Sequence, residues 1–318
     1  MSTSDSPDDG YDEVRRLGQE LSNWGRWGDD DEIGTLNLVD ADAIRRGAAC
    51  VRDGVGFSLA LPLGEGGPHT NSLPGRFNPH HYMTAIGLAV PGSPFFHFSD
   101  DVVVLPLNAA TQWDSLAHVH YEGHLYNGRP AAEVLTTEGA SRNGIDKQAR
   151  HPFATRGVLV DIARARGVDR LEPGTPVGPD DVDAALSAAG TTVHPGDVLL
   201  VRTGHMRTFL VDDDRAAYNG SAPGLGLAMA PWLRAHDVAA VAADNVMVEA
   251  TPSEDGRTIC PLHLVAIRDM GLLLGEMFDL EALSAHCAAT GRWDFQFVAP
   301  PLPFTGGISS PLNPLALF

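Results

Sequence analysis

Residues 108–128 read NAATQWDSLAHVHYEGHLYNG, and they follow an apolar run, residues 102–107, of the kind that forms a buried strand. Asn108, Gln112, Asp114 and His118 therefore bring four oxygen or nitrogen donors to the end of a strand, where side chains converge on a pocket without disturbing the core. Gln112 and Asp114 share a face if the strand continues. Asp114 and His118, four apart, share a face if a helix begins there. A carboxylate beside an imidazole makes a metal site or an acid/base pair, and the plainer alternative is a capping Asp with a surface His.

A second polar interruption lies far downstream. In PLHLVAIRDMGLLLGEMFDLEAL, residues 261–283, His263 and Glu276 stand on otherwise apolar segments. A carboxylate buried there without a partner would cost several kcal/mol, and only Arg268 lies near it in sequence. A metal ion or a distant basic group is the simple remedy.

Around these two stretches the chain reads as α/β or α+β, a mixed sheet with packed helices. Further apolar runs at residues 157–160, 198–202 and 238–243 predict buried strands, and residues 180–189, 229–235 and 280–289 predict helices. No regular βαβ alternation is evident. The 34 glycines and 23 prolines are spread throughout, so turns are many and no linker marks a boundary. The expectation is an acidic, disordered tail over residues 1–12 and a single domain over 13–318.

Composition narrows the function. Twenty-two basic residues against 41 acidic ones give a formal charge of -19, which repels nucleic acid and anionic membranes. Lys147 is the one lysine and lies in a polar stretch, which disfavours Schiff-base chemistry. Three widely spaced cysteines without a CxxC suit a reducing compartment. The N-terminal MSTSDSPDDG lacks the apolar segment of a signal peptide, and no apolar run reaches membrane-spanning length, so a cytoplasmic protein is expected.

The run from Asn108 to His118 resembles the HxGTHxDxxxH motif of the cyclase family, which includes bacterial kynurenine formamidase, isatin hydrolase and trans-dienelactone hydrolase. WGRWGDDDEIGTLN at residues 24–37, TRGVLVDIAR at 155–164, HPGDVLLVRTGH at 194–205 and PLPFTGGISSPLNP at 301–314 carry the resemblance over most of the chain. It implies a swivelling β/β/α fold, a homodimer or homotetramer, and a divalent metal, manganese or zinc. By position, Asp114 matches the metal-bridging aspartate, His118 the acid/base histidine, and His263 and Glu276 the later ligands. The family's first two histidines are here Asn108 and Gln112, and its glycine is Ala110. Amide oxygens are harder ligands than imidazoles and favour manganese or magnesium over zinc. One ion on Gln112, Asp114, His263 and Glu276 is the expected set.

The implied activity is hydrolysis of a small amide, cyclic amide or lactone, with His118 and Asp114 catalytic. The alternative is a metal-free cyclase or lyase on the same scaffold, acting on a reactive small molecule. For substrate contacts the sequence offers Asn108, Trp113, Phe96 and His81, although phenylalanines serve as core equally well. Arg76, Asn78, His80 and His81 form a polar cluster flanked by Gly and Pro, either a substrate lid or a solvated loop.

Overall fold

The computed structural model describes residues 10–72 and 74–318. Its framework is a nine-stranded sheet. Four parallel strands form the middle: β5 (Ala154–Asp161), β6 (Val198–Arg202), β7 (Ala240–Ala243) and β8 (Leu273–Glu276). Their side chains are almost wholly buried, as a sheet covered on both faces demands. Antiparallel strands flank them. On one side lie β9 (Asp294–Val298), β11 (Leu315–Leu317) and β1 (Gly56–Ser58); on the other lie β4 (Gln112–Asp114) and β10 (Ser309–Pro311). The sheet is mixed, as the sequence predicts, but its central strands do alternate with helices: α3 (Pro179–Ala189) lies between β5 and β6 in the chain, and α4 (Met229–Ala235) between β6 and β7.

The helices have ordinary local causes. Asp40 caps α2 (Ala41–Ala48) by accepting from the backbone N–H groups of Asp42 and Ala43. Helix α3 begins with Pro179 and ends on Gly190 in the left-handed region. Helix α5 (Glu281–Thr290) follows β8 directly. The expected tail overlaps residues 1–9, which lie outside the described residues; Asp12 already opens α1 (Asp12–Leu21). Among the described residues no helix is long and apolar enough to cross a membrane.

One expected strand is corrected. Residues 102–104 end β3 (His97–Val104), which pairs only with β2 (His80–Ala89) in a ribbon standing off the main sheet. Val102, Val103 and Val104 are 43, 47 and 51% exposed rather than buried. A β-branched run reports strand preference, but it cannot report whether another layer will cover the strand.

The packing that places the site lies between β4 and β8. Trp113 is wholly buried, stacks on Phe153 with ring centroids 5.0 Å apart, and donates its indole N–H to the Ala299 carbonyl at 2.9 Å. Its cross-strand partner is Gly275. A Cβ on Gly275 would lie 2.5 Å from Trp113 and 2.8 Å from Phe278, so the indole occupies the space that any side chain there would need. Gly275→Ala should therefore destabilise the fold by about 1–3 kcal/mol, as overpacked cores do. Urea denaturation checks this, and an unchanged midpoint would show that the β4–β8 contact is looser than described.

Candidate metal and acid-base site

Alternation along β4 sends Trp113 into the core and Gln112 and Asp114 to the opposite face. The antiparallel register sets Glu276 across from Gln112 and Ser309 across from Asp114. Gln112 donates Nε2–H to Glu276 at 2.7 Å, and Ser309 donates its hydroxyl to Asp114 at 3.1 Å. His263 arrives from a short helical turn, Pro261–His263, which continues as a π-helix over Leu264–Asp269. Its Nε2 lies 3.4 Å from Glu276, and its Nδ1 faces Glu249 in a very close contact. Glu249 also accepts the backbone N–H groups of Leu262 at 3.0 Å and His263 at 3.1 Å, so one carboxylate fixes both the turn and the ring it carries.

No helix follows Asp114. The chain turns instead, with the His118 N–H donating to the Ser115 carbonyl at 3.0 Å, and the turn brings His118 Nε2 to 3.8 Å from Asp114. The structure thus gathers Gln112, Asp114, His118, His263 and Glu276 on one face. His118 and Asn108 line a cavity of about 530 Å³ with Glu138, Phe304, Gly306 and Ser309.

Three expected substrate contacts lie elsewhere. Trp113 is core, because strand alternation turns it away from Gln112 and Asp114. Phe96 lies in the turn at the ribbon tip and is mostly exposed, and His81 meets Asp101 on the ribbon at 2.8 Å. The ribbon carries both away from the cavity that His118 lines. His120 and His124, the two histidines that follow His118 in the same stretch, are exposed.

Burial governs the electrostatics. It lowers the His118 pKa, against the opposing pull of Asp114, so the imidazole is a neutral proton acceptor at neutral pH. Burial, with the charge of Asp114, pushes Glu276 up to about 7. Burial alone would lower His263, but its hydrogen bonds to Glu249 and Glu276 outweigh that and raise it well above the ordinary histidine range. Burial lifts the Cys260 thiol to about 11, which keeps it protonated.

These donors fit a divalent cation. Asp114, His263 and Glu276 offer one ligand atom each, all within 4.8 Å of one another. Asp114 Oδ2 and Gln112 Oε1 are buried without a hydrogen-bond partner, so the aspartate has an oxygen free for an ion and Gln112 adds one beyond the three-residue group. Glu249, Cys260 and His263 form a second such group, but Glu249 is committed to two amides and the ring, and the thiol holds its proton.

A sequence profile for cyclases matches residues 57–250, well over half of the chain. The chain belongs to the cyclase family. A crystal structure of a novel cyclase is 37% identical and superposes with a TM-score of 0.85, covering 94% of this chain and all of that one. More distant likenesses show the shared fold alone. An isatin hydrolase bound to the product analogue thioisatinate is 17% identical, with a TM-score of 0.58 over 85% of this chain and 94% of that one. A predicted metal-dependent hydrolase from Bacillus stearothermophilus is 16% identical, with a TM-score of 0.50 over 83% of this chain and 98% of that one. No curated protein sequence matches the chain.

Glu249 and Ser309 were not anticipated. Glu249 carried the same signal as Glu276, an acidic residue inside an apolar run, here Val246, Met247, Val248 and Ala250. Ser309 carried none. Because Glu249 orients His263, Glu249→Gln should weaken Mn²⁺ binding about 10- to 100-fold, the usual cost of losing such an outer partner. Titration calorimetry measures this, and equal affinity in both proteins would remove His263 from the ligand set.

Proposed function

We propose that this cyclase-family chain is a metal-dependent hydrolase of a small amide, cyclic amide or lactone, with His118 as its acid/base. The observation that carries the reading is the buried cluster of Asp114, His263 and Glu276, with His118 beside it at the wall of an open cavity. Gln112, Asp114, His263 and Glu276 would hold the ion. Their mostly oxygen donors favour manganese, with zinc the second choice. An ion there would supply a Lewis acid that polarises a carbonyl and makes water nucleophilic near neutral pH.

The remaining roles belong to the protein. His118, neutral because it is buried, takes a proton from the attacking water and returns it to the leaving nitrogen or oxygen. Asp114 faces the same imidazole and stabilises its charged form while the proton is held. A cavity of about 530 Å³ suits a substrate of one or two rings. Elemental analysis, followed by an amide and lactone panel with and without chelator, tests the assignment. Turnover that survives complete metal removal would favour the metal-free cyclase or lyase instead. His118→Ala should lose about a hundred- to ten-thousand-fold in turnover while product still binds. His120→Ala and His124→Ala, altering exposed rings, should change it far less; a larger loss from His124→Ala would overturn the assignment.

The homodimer or homotetramer implied by the family is part of the same proposal. Ile86 and Phe95 on the ribbon are 75 and 94% exposed, and a two-stranded ribbon without a covering layer is marginal in water. A second copy of the chain would supply that layer. Light scattering after size exclusion should show an oligomer that Ile86→Glu with Phe95→Glu shifts toward monomer; a monomeric wild type would refute it.

A further inference from the structure

The loop that precedes the ribbon is tied to the site. Asn78 accepts the His69 N–H at 2.9 Å and donates to the His69 carbonyl at 3.0 Å and the Glu65 carbonyl at 3.3 Å, closing the loop on itself. The buried His69 ring then reaches the backbone carbonyl of Asn108 at 2.9 Å. Arg76 rides on this loop, half-buried. With its amide carbonyl turned toward the guanidinium, Asn108 accepts from Arg76 Nε at 3.0 Å and Nη2 at 3.1 Å.

Asn108 also lines the His118 cavity. Through its two bonds to Asn108, the guanidinium is therefore held beside that cavity. Among the described residues Arg76 makes no ion pair, in a chain with 41 acidic residues. Asn108 takes the edge formed by Nε and Nη2, so the Nη1–Nη2 end keeps a two-pronged donor set that matches a carboxylate.

We infer that Arg76, oriented by Asn108 at the wall of the His118 cavity, binds a carboxylate of the substrate or product. The inference rests on the hydrolase reading for the identity of the cavity and adds the substrate class: an anionic acid whose carboxylate lies apart from the bond that is cleaved. The role is one of specificity. Arg76 fixes one end of the molecule while His118 and the buried carboxylates face the other.

Benzoate and benzamide, near-identical in size and differing in charge, serve as probes, with affinities measured by calorimetry on the protein as purified. Wild type should prefer benzoate at least about tenfold, the worth of one charge-assisted pair. Arg76→Gln should reduce that preference to about twofold or less, and Arg76→Lys, which keeps charge but loses the fork, should fall between. Circular dichroism checks the fold of both variants; if Arg76→Gln does not fold, the partial loss in Arg76→Lys carries the test. Equal wild-type affinity for the two probes would overturn the inference, as would an undiminished preference in the variants, which would put the carboxylate on the ion-binding residues. Because the readout is binding, a chain inactive on every amide and lactone still tests Arg76. Conversely, a failed charge preference leaves hydrolysis standing.

Discussion

The pairing of β4 with β8 is the constraint on which the site depends. The register that sets Trp113 over Gly275 also sets Gln112 against Glu276. A slip of one residue would turn the indole out of the core and the carboxylates into it, so the apolar packing on one face enforces the polar geometry on the other. Phe153, Phe278 and Phe297 surround the indole and hold that register from below. The site thus rests on rigid sheet where Asp114 and Glu276 come together, while His263 arrives from a helical turn and His118 from the turn after β4.

Charge is the second organising force. Asp114, Glu249 and Glu276 are buried within one cluster, with His263 buried among them and His118 largely covered at its edge. Such a cluster is stable only if protons or a cation neutralise it. The raised pKa values of Glu276 and His263 point the same way: burial among like charges makes Glu276 hold a proton, and its carboxylate partners make His263 do so. The same groups would release protons to an ion, so metal affinity should be a property of the whole cluster and fall at acid pH. Glu276 draws its charged partner, His263 at 3.4 Å, from a helical turn and not from Arg268, the basic residue near it in sequence.

The fold was legible where burial speaks through composition. The strand over residues 198–202 and the helix over residues 229–235 coincide with the sequence expectation, because each is a short apolar or amphipathic run with clear punctuation. The run at residues 102–107 misled, since exposure depends on what lies next to a strand and not on its composition. For the site, Asp114, His118, His263 and Glu276 stood out as polar residues in apolar settings or through the family motif. Glu249 gave the first of those signals and was passed over. The sequence marked Arg76 and Asn78 as part of a polar loop, a substrate lid or a solvated one, but not the contact of Arg76 with Asn108, which depends on Asn78 folding the loop back and on the side-chain orientation of Asn108.

Asn108 ties these strands of argument together. At this position the motif of the family carries a histidine, a residue suited to ligating metal. An asparagine there gives up a strong ligand, but its carbonyl can accept from a guanidinium, which a protonated or metal-bound imidazole cannot. The exchange at residues 108 and 112 thus does two things at once. It leaves the buried donor set smaller and richer in oxygen, and it frees one wall of the cavity to hold an arginine. Under the proposed function, metal preference and substrate charge preference would be coupled through this side chain, and an imidazole at residue 108 would move both.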